Sequence, residues 1–252
     1  MTLAAPLLGP VLRAQYRQRA EEADEIAPRP EDEPHAEVAG PDPLRVLILG
    51  GGPAVGYGVR SHASALPGQV ARGLAARTGR GAVLDARVAP GARIADAALL
   101  LDERGARGYD AVVHVAGFAD ACFGSASRRP SRDLWAVVDL LRATGGPDLA
   151  IVLAGIEPPV GRYPDRLGRL LAARVEAVNE QIAAMADQAR PAAYVRIPAR
   201  TEAFPYRTAS GYREAATAVT AGLVDALGQA SAQAAACSVP PTASARRAAV
   251  HR

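Results

Sequence analysis

Leu44-Arg45-Val46-Leu47-Ile48-Leu49-Gly50-Gly51-Gly52-Pro53-Ala54-Val55-Gly56-Tyr57-Gly58 is a short, almost unbroken apolar run that stops at three consecutive glycines. A run of this length without polar alternation suits a strand covered on both faces, and the glycines suit a tight turn out of it. Four more runs share the pattern, at 82–87, 110–116, 149–154 and 192–197. The segments between them carry a helical period. In 166–188, Leu167, Leu170, Leu171, Val175, Val178, Ile182 and Met185 fall on one face. Ser131 and Ser210 stand where N-caps are expected, Pro67 opens a helix over 66–78, and a shorter helix is predicted over 94–104. Strands alternating with helices predict an α/β fold: a single doubly wound, flavodoxin-like, five-stranded parallel sheet with helices on both faces.

Outside this unit, 44–228, the composition changes. Residues 1–43 hold 4 Arg and 9 acids, and are expected to form an N-terminal helix from about Pro10 to Glu25 and an acidic, proline-containing irregular linker. Residues 229–252 are Ala/Ser/Pro/Arg-rich with 3 Arg and no acid, and are expected to be a disordered tail. The middle carries 22 Arg and 17 acids, so basic charge is interleaved with acidic charge. With aromatics at 4%, no stacking platform accompanies a basic stripe, and no nucleic-acid partner is expected despite a pI near 9.1. All 29 basic residues are Arg, so mechanisms that need a lysine, such as a Schiff base or a P-loop phosphate lysine, are excluded.

Cys122 and Cys237 are too few and too distant to form a disulfide framework, and neither points to zinc. The apolar start, Met1 to Leu12, has no basic leading segment and contains two prolines. No window is apolar enough for a membrane helix, so a cytoplasmic chain without stable membrane insertion is expected. The sequence assigns no oligomeric state.

Ligands of a doubly wound sheet bind beyond the carboxyl ends of its strands, here the loops 50–58, 88–93, 117–130, 155–165 and 198–209. Five blocks in these loops carry a resemblance. Leu49-Gly50-Gly51-Gly52-Pro53-Ala54-Val55-Gly56 resembles a strand followed by Gly-Asp-Ser and a later glycine. Ala89-Pro90-Gly91-Ala92 resembles a block with an oxyanion glycine. Val115-Ala116-Gly117-Phe118-Ala119-Asp120 resembles Gly-x-Asn-Asp. Ile151 to Pro164, with Glu157 in its loop, is similar to the segment after the fourth strand in bacterial members. Phe204-Pro205-Tyr206-Arg207-Thr208-Ala209-Ser210-Gly211-Tyr212 resembles the end of Asp-x-x-His-Pro-Ser-x-x-Gly-Tyr. In order and spacing these resemble the SGNH/GDSL hydrolase (esterase/lipase-like) family over about residues 44–228.

The departures fall on the chemistry that the resemblance implies. Gly52 stands at the serine nucleophile, Gly51 at its neighbouring Asp and Ala119 at the oxyanion Asn, while Ala203 and Tyr206 stand at the last block's Asp and His. Of the four residues that name the family, Gly91 alone matches. A serine mechanism needs nucleophile, base and an orienting group together. The expectation is therefore a degenerate member, a pseudoenzyme binding a small ligand or a protein partner in the old active-site cleft. Gly51, Gly52, Gly91, Ala119, Asp120, Glu157 and Tyr206 are the expected ligand-binding residues.

Two other readings fit parts of the same sequence. Gly50-x-Gly52-x-x-x-Gly56 is a phosphate-approach pattern, but no acid is placed to hold a ribose and Pro53 removes a donor. No cofactor and no metal are expected. Relocated chemistry, such as acyl transfer, cyclisation or hydrolysis, is the alternative, with Asp120, Glu157, Cys122 and His62 as its weak candidates and Tyr57 beside them. Lone Cys and His residues are more often structural, and His114, inside a central strand, fits a packed, hydrogen-bonded core histidine. Arg128, Arg129 and Arg162 could draw an anion, although solvated surface is the usual role of such residues.

Overall fold

Continuous apolar runs become central strands because both of their faces are covered. A computed structural model of the chain describes residues 5–124, 129–159, 163–199 and 207–238. Its elements are α1 (Ala5–Ile26), β1 (His35–Val38), β2 (Leu44–Gly50), α2 (Leu66–Thr78), β3 (Ala82–Val88), α3 (Ala97–Leu100), β4 (Ala111–Val115), α4 (Phe118–Phe123), α5 (Arg129–Gly145), β5 (Ala150–Ala154), α6 (Asp165–Gln188), β6 (Ala192–Val195) and α7 (Ala209–Ser238), with short 3-10 turns at Gly52–Val55 and Ile94–Asp96. Every residue of β4 and β5 is buried, as are all of β2 except Arg45.

The sheet order is β1-β3-β2-β4-β5-β6, in which β2 to β6 are parallel and follow the flavodoxin-like order. Alternate residues divide the core into two layers. Val46, Ile48, Val113 and Val152 meet Leu74 of α2 and Val219 and Leu223 of α7. Leu47, Leu49, Ile151 and Leu153 meet Leu141 of α5, Leu171 and Ile182 of α6, and Leu12 of α1.

The sheet has six strands rather than five. The addition, β1, pairs antiparallel with β3 at the edge, within the stretch expected to be irregular. Only Ala36 of its four residues is buried, so its hydropathy carries no strand signal. The helix expected from about Pro10 starts at Ala5. The 94–104 helix is a 3-10 turn followed by one turn of α-helix. Ser131 lies inside α5, with its hydroxyl on Gln181 Oε1 at 2.7 Å, and Thr208 rather than Ser210 accepts the Gly211 N–H at the start of α7. The tail expected to be disordered from Gln229 is helical to Ser238. Its alanines favour helix, and they extend one already docked, so no new nucleus is needed. Residues 239–252 lie outside the described residues.

Candidate functional site

Glycines set the backbone at the carboxyl end of β2. At Gly50 (φ +128°) a Cβ would collide with the Val115 carbonyl oxygen, so only glycine lets β2 and β4 end this close together. Gly51 N–H donates to Val115 O at 2.7 Å, and Ala89 N–H donates to Gly50 O at 2.9 Å. Three strand-end loops are thereby tied to one point. A Cβ on Gly51 would stand 2.9 Å from Ala89 O and 3.2 Å from Ala92 Cβ, so a side chain there would have to push the 89–92 loop away. Gly52 (φ +56°) differs, since nothing lies within 4 Å of a Cβ built on it.

These loops surround a cavity of about 140 Å³. Its walls include Gly51, Gly52, Gly91, Ala119 and Glu157, all among the residues expected from the sequence. Glu157 is 5% exposed and pairs with Arg207, 3% exposed, which also donates to Gly211 O at 3.0 Å. Two buried charges are thus matched inside the wall. Tyr212 lies beside them, with its ring centroid 5.6 Å from the Arg207 guanidinium carbon and its hydroxyl donating to Tyr57 O at 2.9 Å.

α1 contributes the fourth side of the cavity. Leu12, Tyr16, Ala20, Ala23 and the following Ala27 recur at helical spacing, and Tyr16, Arg19, Ala20 and Ala23 line the cavity. Several contacts hold this helix and the segment after it. Tyr57 donates to Asp24 Oδ1 at 2.5 Å, Arg19 stacks on Tyr163 at 5.2 Å, and Gly58 N–H donates to Pro28 O at 2.8 Å. Burial, together with the hydrogen bond to Asp24, pushes the Tyr57 phenol well above its ordinary range.

Among the described residues, Asp120, Cys122 and His62 do not line the cavity. Asp120 accepts the Ile94 N–H at 3.0 Å and so ties α4 to the turn after Gly91. Burial raises its carboxyl pKa, against the lowering effects of that hydrogen bond and of Arg93. Cys122, on α4 itself, is fully buried in the core layer it shares with α5 and α6. His62, 6% exposed, has Nδ1 2.8 Å from Asp32 Oδ1, while its backbone N–H also donates to Asp32. That arrangement pins the 27–34 segment to the loop after β2. His114 is in register with Leu49 and Leu153 and is packed in the core as expected, but its Nε2 has no hydrogen-bond partner among the described residues, where a hydrogen-bonded histidine was expected. Tyr206, Ala203, Arg128 and Arg162 lie outside the described residues, as does the side chain of Arg129.

Sequence reasoning missed Tyr16, Arg19, Tyr163 and Arg207. The spacing from Leu12 to Ala27 was a usable signal for α1. Arg207 carried none beyond its place in the last block. Among the described residues no group of three or more His, Cys, Asp or Glu is placed to hold a metal, and no helix is long and apolar enough to cross a membrane.

No protein-family model matches the sequence, and no curated protein does either. Solved structures do. An extracellular lipase from Streptomyces rimosus aligns with a TM-score of 0.53 at 16% identity, over 71% of this chain and 99% of the lipase. An acetylxylan esterase, Axe2, from Geobacillus stearothermophilus aligns at 0.51 and 15%, over 75% and 95%. A family two carbohydrate esterase from Clostridium thermocellum aligns at 0.50 and 13%, over 76% and 67%. The chain has the α/β fold of SGNH-type esterases and lipases. At these identities the likeness concerns the fold alone.

Proposed function

We propose that this protein is a degenerate SGNH/GDSL-type chain, a cytoplasmic pseudoenzyme that binds a small ligand, or a protein partner, in the former active-site cleft without hydrolysing it. One observation carries this reading: the described residues that line the cavity include no serine, threonine, cysteine or histidine. Gly52 opens onto the cavity where a nucleophile would stand, and Cys122 and His62 lie off its walls. A serine-type acyl transfer needs a hydroxyl or thiol nucleophile with a base in contact; among the described residues of this wall the one carboxylate, Glu157, is paired with Arg207 and adjoins no such nucleophile. The esterases and lipases among the structural neighbours favour a second reading, an enzyme whose chemistry has moved to other groups in the same cleft.

Gly52→Ser separates the two. The site has room for the hydroxymethyl group, at a cost of about 1–2 kcal/mol for a side chain in the left-handed region. Both wild type and Gly52→Ser are expected to hydrolyse p-nitrophenyl acetate no faster than buffer, because a serine without a base stays a weak nucleophile. Turnover by the wild type, or a burst of p-nitrophenol from the variant, would show that a base is already in reach and would favour the second reading.

A further inference from the structure

α1 lines the cleft from outside the 44–228 unit, and the chain from Ala27 to Pro34 leads from it back to the sheet. That connecting segment is firmly placed. Gly58 N–H donates to Pro28 O at 2.8 Å, Glu31 N–H donates to Arg60 O at 3.3 Å, and the backbone N–H and Nδ1 of His62 both meet Asp32 Oδ1, at 2.9 and 2.8 Å. Pro28, Pro30 and Pro34 add fixed backbone angles, and Pro30 packs so closely on Gly56 that a Cβ there would stand 2.6 Å from its ring. The helix does not run into this segment. A residue before a proline disfavours helical angles, and Ala27, before Pro28, follows the last helical turn.

α1 itself is held more lightly. Among the described residues, side chains rather than main-chain groups join it to the unit. Leu12 enters the core layer, and Tyr16 rests on Phe118 and Phe123 of α4 with ring centroids 6.1 and 5.2 Å away. Beyond them the face toward the cavity includes Ala20 and Ala23, which have little apolar area to bury. The end of the helix next to the connecting segment is closed by the hydrogen bond from Tyr57 to Asp24 Oδ1 at 2.5 Å. Tyr57 is fixed in turn, since Tyr212 donates to its carbonyl oxygen at 2.9 Å, and burial together with the Asp24 bond keeps its phenol protonated as a donor.

We propose that α1 is a hinged wall of the cleft: it swings outward between Ile26 and Pro28 while the 28–34 segment stays in place, and the hydrogen bond from Tyr57 to Asp24 is the latch that keeps it closed. With α1 closed the cavity is about 140 Å³. With α1 open the cleft loses its fourth side and lies open along the strand-end loops that carry Gly52, Gly91 and Ala119, so it takes a longer molecule. The hinge thereby sets the size of what the cleft admits. This holds whether the occupant is only bound or is also transformed.

The test is hydrogen–deuterium exchange of the full chain, read by mass spectrometry, in wild type, Tyr57→Phe and Asp24→Ala. The first variant keeps the ring and removes the donor. The second removes the acceptor at a side chain that is 45% exposed, where the fold tolerates the change. In wild type, peptides from Gly9 to Glu25 are expected to exchange by local opening, at least about tenfold faster than those of β2, β4 and β5 but slower than an unstructured chain. Each variant is expected to speed exchange in α1 about tenfold further, the loss of roughly one net hydrogen bond, and to leave the strands unchanged. Ala23 is 2% exposed and lines the cavity, so iodoacetamide labelling of Ala23→Cys, mapped by mass, is expected to quicken by the same factor when Tyr57→Phe is added. Exchange of α1 in step with the strands, exchange as fast as in an unstructured peptide, or variants that leave α1 unchanged or loosen the strands equally would each overturn the proposal.

Discussion

Glu157→Ala is expected to cost about 3–5 kcal/mol of stability, because it leaves the Arg207 guanidinium buried without its counter-charge. Side-chain exposures of 3% and 5% place both partners out of water, where a single charge is far costlier than a matched pair. For a chain of this size the loss corresponds to a fall of about 10 °C in Tm. The double variant Glu157→Met/Arg207→Met removes both charges and is expected to recover most of the loss, since an apolar pair of similar volume can replace a buried ion pair. Urea unfolding of wild type, single and double variants measures this. A single variant within 1 kcal/mol of wild type would mean that water reaches Arg207.

The second large effect is acid destabilisation through His114. This residue is 3% exposed and its Nε2 has no hydrogen-bond partner among the described residues, so desolvation lowers its pKa from 6.5 to about 4. Between pH 6.5 and 4 the unfolded chain takes up a proton at this position and the folded chain does not. The stability present above pH 6.5 is therefore lost progressively as pH falls to about 4, by roughly 3 kcal/mol in all. Asp32 and Asp85 act lower on the scale. Hydrogen bonds, from His62 to Asp32 and from His35 and Tyr109 to Asp85, outweigh the opposing effect of burial and hold both carboxyls below 3.8, so their contributions are lost only below that value. The raised Asp120 works in the opposite sense, gaining its proton in the folded state first. His114→Leu isolates the histidine: its stability is expected to be nearly flat from pH 7 to 4.5 relative to wild type. An acid limb as steep in the variant as in wild type would show that other groups carry it.

Much of the fold was legible because β2, β4 and β5 are buried on both faces and so appear as plain apolar runs. β1 was not, since an edge strand of four mostly polar residues needs only Ala36 inward. α1 was visible as a helix but not as a cavity wall. Its inward face is largely alanine, with Tyr16 and Arg19 between, and small residues give little amphipathic contrast even where they pack closely. In the site, Gly51, Gly52, Gly91, Ala119 and Glu157 were found through the order of the strand-end loops. Arg207 was not, because its partner Glu157 lies 50 residues away and the last block drew notice for the groups it lacks. Asp120, Cys122 and His62 show the converse limit. Their chemistry is readable from residue type, whereas their placement off the cavity is a matter of packing.

The central claim is that the cleft contains no activated nucleophile. Intact-mass spectrometry of the wild-type chain after exposure to excess fluorophosphonate tests it most directly, because the reagent modifies a serine activated for acyl transfer whatever its natural substrate. The unmodified mass alone is the predicted result. A single stoichiometric adduct, mapped by peptide sequencing to a serine at the mouth of the cavity, would contradict the account and show that this fold has kept hydrolase chemistry with a nucleophile in a new place.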